Sequence, residues 1–275
     1  MSSVMPENPE ASADGSRFSR PTASHSHGHR LFHILIPWAT TAGVVFAWYV
    51  ATATGTPGFF PSPQQVVAAA GDLNAEGLLW PSIGVSLARV GAGLAMGILV
   101  AVPTGLLAGS SRLGYIFLDK PAHMLRAIPF NALSPLLIIA VGIGEGMKVT
   151  LIAIGVFGPL YVNLRDGVRA IDPKLLEFAR AYHLRRRTVF TQILLRGTLP
   201  SFMTGLRFGL TVAWIALVTC ETVNSQNGLG YILARSQQFS RTDQMVLCIV
   251  AYAVLGLVSE GLVGLLERVA LPWKK

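Results

Sequence analysis

Residues 90–111 read VGAGLAMGILVAVPTGLLAGSS, with no charged side chain between Arg89 and Arg112. Twenty-two uncharged and mostly apolar residues are enough for one helix across a bilayer core, which requires about 20. The rest of the chain has the same character, since 52% of its 275 residues are hydrophobic and only 13% are charged. Ordinary soluble domains carry about 25% charged residues. The sequence therefore predicts an integral membrane protein built from helices.

Five further apolar runs have the character of membrane spans. They are residues 31–54, the runs 127–144, 149–164 and 208–220, and the segment 244–266, which only Glu260 interrupts. The run 208–220 is too short by itself. It becomes long enough if its helix begins near Ser201 and Arg207 extends toward the headgroups. We therefore predict an all-α membrane protein with about six transmembrane helices.

The distribution of basic residues predicts the orientation of these spans. If the N-terminus is cytoplasmic, the segments on that side hold eighteen of the twenty-two Lys and Arg residues. Those segments are 1–30, 112–126, 165–207 and 267–275. The other side holds Lys148, Arg235 and Arg241, and Arg89 is placed at a helix edge. Because basic loops stay in the cytoplasm, both termini are predicted to be cytoplasmic. The net charge of +8 then follows from topology, and no nucleic-acid partner is predicted.

The first thirty residues differ from the remainder. They are rich in Ser, Pro and polar residues, and such sequence cannot bury enough apolar surface to fold. We predict a disordered cytoplasmic tail over 1–30, followed by a membrane domain over 31–271. His25, His27 and His29 alternate in this tail as a loose metal binder or as solvated residues, and no metal site is predicted. Cys220 and Cys248 lie in apolar runs, and we interpret them as packing residues.

The longest predicted cytoplasmic loop, 165–207, carries nine basic and three acidic residues. After Pro173, the residues Leu175, Phe178, Ala179 and Tyr182 recur at helical spacing. A second helical pattern follows the arginine cluster and runs up to the proline at position 200. The pattern alone leaves two interpretations open: an amphipathic helix that rests on anionic lipid, or a docking helix for a soluble partner.

Two parts of this loop resemble a known motif. EFARAYHL (177–184), followed by ILLRGTLPSFMTGLRFGL (193–210), is similar to the EAA loop of ABC importer permeases. Further stretches extend the resemblance over about residues 34–271: FPSPQQVV (60–67), SLARVGAG (86–93), LRAIPFNALSPLLIIAVGIGE (125–145), GLRFGLTVAWIALVTCETV (205–223) and NGLGYIL (227–233). The chain resembles permease subunits of the nitrate/taurine/aliphatic-sulfonate importers, above all those of the sulfonate branch.

The resemblance implies six residues that couple the chain to an ATPase. They are Glu177, Ala179, Tyr182, His183, Leu199 and Pro200. Glu177 and Ala179 take the Glu and second Ala positions of the motif, and Glu177 is expected to bond backbone or basic groups at the joint or to pair with Arg180. Two positions depart from the motif. His183 stands where the family usually has Gly, and Leu195 stands where sulfonate permeases often have a first proline.

The resemblance also implies the partners and the location. Cytoplasmic ATP-binding subunits would bind and hydrolyse ATP, so that this chain is not an enzyme and binds no cofactor. The absence of a G-x-x-x-x-G-K-[ST] phosphate loop from the sequence agrees with that implication. An extracytoplasmic solute-binding protein would deliver the solute, and a homodimer would form the pathway in the bacterial inner membrane. A small anion, an aliphatic sulfonate or taurine, is the predicted solute. Nitrate, bicarbonate or a vitamin precursor is an alternative, as is an ion-coupled secondary transporter.

Within the spans, four residues are pathway candidates: Asn131, Trp214, Thr219 and Glu221. Glu221 is expected near the outer mouth, paired with a basic group or capping a re-entrant segment. Glu260 lies inside a span, and we expect it to face protein or water with an arginine partner. The pairs Gly93/Gly97 and Gly105/Gly109 permit close helix approach, either within the subunit or across a homodimer.

Overall fold

The computed structural model describes residues 27–54 and 60–272, with the side chains of 27–38 and of positions 54, 130, 131 and 224 outside the described part. Most of the predicted tail therefore lies outside it. The chain divides into two units, Met1–Val50 and Ala51–Lys275. The first contributes most of α1 (His27–Thr54), and the second holds the remaining helices. These are α2 (Pro63–Ala75), α3 (Leu79–Ser110), α4 (Arg112–Ala127), α5 (Phe130–Val141), α6 (Glu145–Arg169), α7 (Pro173–Ala181), α8 (Arg186–Thr188), α9 (Arg196–Asn224), α10 (Leu229–Gln238) and α11 (Thr242–Ala270).

Among the described residues, four helical segments are long and apolar enough to cross a membrane: α3, α6, Arg186–Val223 and α11. The predicted third span, 127–144, differs from the structure. Helix α4 fills the predicted loop 112–126, and α5 has only 12 residues. The axes of α4 and α5 meet at 113°, so that the pair counts as a fifth span only if it is taken together. Pro129 lies between them in an extended conformation, which is the expected effect of a proline that cannot continue a helix.

The first predicted span and the predicted start of the fifth also differ from the helices of the structure. Helix α1 covers residues 31–54, although its described apolar part, Ala39–Ala53, is shorter than a full span. The fifth span does not begin near Ser201. Its helix runs without a break from Arg186 to Val223, with a π-helical turn at Val189–Leu195 and Pro200 inside α9.

The glycine pairs of α3 pack against α6. A Cβ added at Gly97 would lie 2.8 Å from Cβ of Val156, and one at Gly105 would lie 2.9 Å from Cβ of Leu164. Gly93 and Gly109 meet Ile152 and Val168 in the same way. The glycines thus form a seam within the subunit, which decides between the two alternatives left by the sequence.

Helix α6 lies at the centre of the bundle. Its fully buried side chains include Leu151, Ile152, Val156 and Leu160, whereas α11 exposes a row of large apolar side chains such as Leu257. A helix that is apolar on its outward side suits a lipid environment. Helix α7 follows the end of α6. Helix α9 runs in the direction opposite to α6, and α10 follows its end, so that α7 and α10 lie at opposite ends of the bundle. We refer to these as the α7 end and the α10 end.

Candidate functional site

Helix α7 has a well-defined start at the α7 end of the bundle. Asp172 is its N-cap, and its Oδ1 accepts a hydrogen bond from the backbone N–H of Lys174 at 2.9 Å. Pro173 occupies the first helical position, where its missing N–H costs nothing. The helix predicted after Pro173 is therefore present, and it begins where the sequence pattern placed it.

The end of α7 depends on His183, which has a left-handed backbone with φ of 49°. The N–H of Leu184 donates to the carbonyl of Ala179 at 2.9 Å, and the N–H of His183 donates to that of Arg180 at 3.0 Å. These two bonds form a Schellman motif, whose left-handed position usually holds glycine. His183 thus keeps the turn, at a cost of about 1–2 kcal/mol for a residue with a Cβ.

The apolar residues of α7 do not cover the chain's own core. Ala179 is buried, but Leu175 is 50% exposed, Phe178 is 53% exposed and Tyr182 is 68% exposed. The rings of Phe178 and Tyr182 contact each other with centroids 4.3 Å apart. The helix therefore presents an apolar surface outward, which we call the α7 surface and define as Leu175, Phe178 and Tyr182.

Glu177 is exposed next to this surface. Within the described residues its carboxylate has neither an ion pair with Arg180 nor another hydrogen bond. The expected pair of Glu177 with Arg180 is therefore absent among the described residues, and the expected bond at the joint with an ATPase stays a prediction. The other two coupling candidates lie apart from α7: Leu199 and Pro200 belong to α9, where Leu199 packs against the main core.

A charged network closes the α10 end of the bundle, and it is centred on Arg89. This side chain is not at a helix edge as the sequence suggested, because Arg89 is only 3% exposed and lies within α3. Its Nη1 donates to Glu221 Oε1 and to the carbonyl of Asn227, both at 2.7 Å. Its Nε and Nη2 donate to the two carboxylate oxygens of Glu145, both at 2.6 Å.

Glu221 is the second centre of the network and is fully buried. Besides the bond from Arg89, it accepts hydrogen bonds from Ser86 Oγ at 2.8 Å, from the N–H of Gly230 at 2.8 Å and from Tyr252 Oη at 3.2 Å. The expected pairing of Glu221 with a basic group is therefore present, and Glu221 also accepts a hydrogen bond from the first turn of α10. This single carboxylate ties α3, α9, α10 and α11 together.

Lys148 completes the network. Its Nζ donates to Glu145 Oε1 at 2.9 Å and to Ser225 Oγ at 2.9 Å. Arg89 and Lys148 supply two positive charges, and Glu145 and Glu221 supply two negative charges. The contact between Glu145 and Lys148 could have been predicted from their spacing in the sequence, because residues three apart on a helix are neighbours.

The other pathway candidates are only partly brought together. The ring of Trp214 contacts that of Tyr252 edge-on, with centroids 6.3 Å apart, and Tyr252 links it to Glu221. The Nε1 of Trp214 is buried and has no partner among the described residues. Thr219 Oγ1 donates to the carbonyl of Ile215 on its own helix at 3.0 Å. Asn131 lies in the first turn of α5, and its side chain is outside the described part.

Glu260 has no arginine partner among the described residues, so that the prediction of such a partner is wrong there. Arg207 Nη2 instead donates to Glu267 Oε2 at 2.9 Å. Glu267 lies about two turns further along α11, where Arg207 reaches it across the α9–α11 contact. Among the residues described, no group of three or more His, Cys, Asp or Glu side chains is placed to hold a metal ion, and the three histidine side chains of the tail lie outside that set.

Comparisons with known proteins identify the class. Residues 93–270 match the family described as "Binding-protein-dependent transport system inner membrane component". The chain is 38% identical to the putative aliphatic sulfonates transport permease protein SsuC of Escherichia coli K12, over 86% of this chain and 91% of the relative. It is 33% identical to the protein of the same name from Bacillus subtilis 168, over 85% of each.

A solved structure shares the fold. A chain of the MetNI methionine ABC transporter, solved in inward-facing conformations, superposes with a TM-score of 0.63 at 20% identity, over 72% of this chain and 98% of that one. The chain belongs to the family of binding-protein-dependent transport system inner membrane components. It is therefore a permease subunit of an ABC importer, and ATP hydrolysis belongs to a separate chain.

Proposed function

We propose that this permease subunit forms the translocation pathway of an ATP-driven importer for aliphatic sulfonates, with two copies completing the pathway. The similarity to two permeases named for aliphatic sulfonates, over most of the chain, supports this class of solute. Selection of the solute would rest mainly with a separate solute-binding protein. The charge-balanced network agrees with that division, because each basic side chain there already has an acidic partner.

The α7 surface is the proposed attachment site for the ATP-binding subunits. It is an apolar patch on a charged helix, with Glu177 beside it and free to bond a partner. The N-cap and the Schellman turn define the two ends of α7, and α7 packs against the π-helical turn that precedes α9. A push on the α7 surface would therefore be carried to α9. Closure of two ATP-binding subunits would then bias the permease between two conformations, as in other two-state switches.

The proposed orientation places the α7 end in the cytoplasm and the α10 end outside. Both termini are then cytoplasmic, and the α10 end meets the solute-binding protein. This orientation puts the large excess of basic residues on the cytoplasmic side, and it places α7 where soluble ATP-binding subunits are found.

The test combines assembly and transport. The permease is co-expressed with its ATP-binding subunits, purified and reconstituted in vesicles with the solute-binding protein, and uptake of ethanesulfonate is measured. Glu177→Arg and Phe178→Asp should each lower recovery of the ATP-binding subunit and uptake at least tenfold. Val67→Asp, which changes a more exposed apolar side chain on α2, should change neither.

Two results would contradict the proposal. Normal co-purification of the ATPase with the Phe178→Asp variant would remove the α7 surface from the interface. ATP-dependent uptake of nitrate, but not of ethanesulfonate, would exclude sulfonates as the solute class.

A further inference from the structure

Arg126 is a charged side chain in the last turn of α4, which the sequence placed at the end of a cytoplasmic segment. The structure places it against the middle of α6. A Cβ added at Gly158 of α6 would lie 3.0 Å from Cγ of Arg126 and 3.3 Å from its Cδ. The ion pair of Asp119 on α4 with Arg165 on α6 gives the same register, because Arg126 and Gly158 are each seven residues away from it. The stem of Arg126 therefore packs on Gly158.

Gly158 marks the middle of the membrane-crossing part of the bundle. It lies one residue, or about 1.5 Å, beyond the midpoint of α6. Helix α3 runs alongside α6, and its Gly97 meets Val156. The level of Gly158 is therefore about two residues beyond Gly97, near the centre of the uncharged run 90–111. Both helices thus place Arg126 near mid-depth in the membrane.

The guanidinium of Arg126 cannot reach a lipid headgroup from this depth. Three bonds separate its outer nitrogens from Cδ, which is less than about 4.5 Å, whereas half of a bilayer core is about 15 Å thick. An arginine near a helix end can extend along its stem to the surface, but the stem of Arg126 is held at Gly158. The positive charge therefore stays inside the membrane.

The charge of Arg126 is not neutralised within the described part of the chain. Arg126 is exposed there and forms neither an ion pair nor a side-chain hydrogen bond. Four other basic side chains of the bundle each have an acidic partner: Arg89, Lys148, Arg165 and Arg207. A charge at this depth is costly in lipid, and ionisable residues inside a membrane mark pathways for solutes and ions.

The backbone beside Arg126 is also unsuited to contact with lipid. Helix α4 ends at Ala127, Pro129 is extended and α5 begins at Phe130, so that the helical hydrogen bonds are interrupted. Ile128 and Pro129 are exposed on this chain. Interrupted backbone at membrane depth is tolerated where it lines a water-filled cavity or is covered by protein. The exposed side of the bend therefore faces a pathway or a second chain.

We propose that Arg126 faces the translocation pathway and binds the anionic group of the solute at the middle of the membrane. The inference rests on the proposed import of an anion and adds the permease side chain that receives its charge. A planar guanidinium with five N–H donors can bind two oxygens of one anionic group. The basic side chains of the network around Arg89 are already paired, whereas the donors of Arg126 are available to a ligand. Asn131, a pathway candidate from the sequence, follows in the first turn of α5.

The first test compares Arg126→Gln with Arg126→Lys in the reconstituted importer, with ethanesulfonate as the probe. Uptake should fall about tenfold or more in Arg126→Gln, as expected for the loss of a charge-assisted hydrogen bond. Arg126→Lys keeps the charge and should stay within about threefold of wild type. Arg112→Gln, the same change at an exposed arginine at the start of α4, is the matched control and should not alter uptake. All three variants should retain the melting temperature and the recovery of ATP-binding subunits of wild type.

Cysteine chemistry separates a role in binding from a role in packing. The thiol introduced by Arg126→Cys should react with water-soluble methanethiosulfonates, whereas the native Cys220 and Cys248 are buried. A 2-aminoethyl reagent adds a positive charge at this position and should restore uptake several-fold. A 2-sulfonatoethyl reagent adds a negative charge and should not. A side chain that only packs on Gly158 would give a response that does not depend on the sign of the added charge.

Four results would overturn the assignment of Arg126. They are uptake by Arg126→Gln within twofold of wild type, equal losses in Arg126→Gln and Arg126→Lys, an unreactive thiol in Arg126→Cys, and equal responses to the two reagents. Each of them leaves the proposed import of sulfonates intact, because that proposal is measured with the wild-type complex. If the wild-type complex does not take up ethanesulfonate, the proposed import fails, and the inference fails with it.

Discussion

Arg89 on α3 and Glu221 on α9 form an ion pair with a separation of 2.7 Å, and both side chains are almost completely shielded from solvent. The pair joins two helices that are 132 residues apart in sequence. It also anchors the first turn of α10 through the N–H of Gly230. The α10 end of the permease is therefore held by buried charge and not by apolar packing alone.

Loss of the Glu221 charge should destabilise the fold. The Glu221→Gln variant keeps the shape of the side chain but leaves Arg89 with less buried compensation, and breaking a buried pair costs about 3–5 kcal/mol. We expect a clear fall in the melting temperature of the purified permease in detergent, measured by scanning fluorimetry. Glu76→Gln serves as the control with no expected change. An unchanged melting temperature for Glu221→Gln would contradict the structural importance of the pair.

The turn after α7 should become more stable with glycine. His183 has a left-handed conformation that costs a residue with a Cβ about 1–2 kcal/mol, and glycine adopts it freely. His183→Gly should slow hydrogen exchange of the amides of His183 and Leu184, and His183→Val should speed it, because β-branched residues tolerate this conformation poorly. Faster exchange in the glycine variant would show that the Schellman turn is not formed.

The glycine seam predicts a contrast within one helix. Gly97→Ala should destabilise the permease by about 1–3 kcal/mol through overpacking, because the new methyl group would meet Val156. Gly91→Ala is the matched control on α3, where an added Cβ meets nothing within 4 Å. The melting temperatures of the two variants test this prediction. Equal values would contradict the close packing of Gly97 against Val156.

The orientation can be tested with single cysteines. Lys174 on α7 and Gln237 on α10 are exposed at opposite ends, whereas the native Cys220 and Cys248 are buried and should not react. A membrane-impermeant maleimide should label Gln237→Cys in cells with a permeabilised outer membrane and Lys174→Cys only after lysis. The reverse pattern would invert the topology.

Local sequence signals were sufficient for the helical class and for α7. An uncharged run of the length of a bilayer core permits few structures besides a membrane helix. Pro173 and the spacing of Leu175, Phe178 and Tyr182 were enough to place helix α7. The exposure of its apolar face is a tertiary property, and a sequence pattern shows only that such a face exists.

The charged network and the bend between α4 and α5 depend on long-range structure. Arg89 acquires its role from Glu145 and Glu221, which are 56 and 132 residues away, and a single sequence contains no signal for such pairs. The apolar run after Arg126 had the length of a span, but with Pro129 near its start it holds only the 12-residue helix α5. Among the described residues, Arg207 pairs with Glu267 and not with Glu260. The sequence alone does not show which of these two acids reaches Arg207.

The balance of charge within the network around Arg89 has a consequence for the proposed pathway. Arg89 and Lys148 balance Glu145 and Glu221 in the network, so that under the proposed function an anion would meet no net charge there. A transport pathway must release the solute that it binds, and a segment without net charge would bind an anion weakly enough to release it. Under the proposed function, net movement in one direction would then come from the ATP-driven movement of α7 at the opposite end of the bundle.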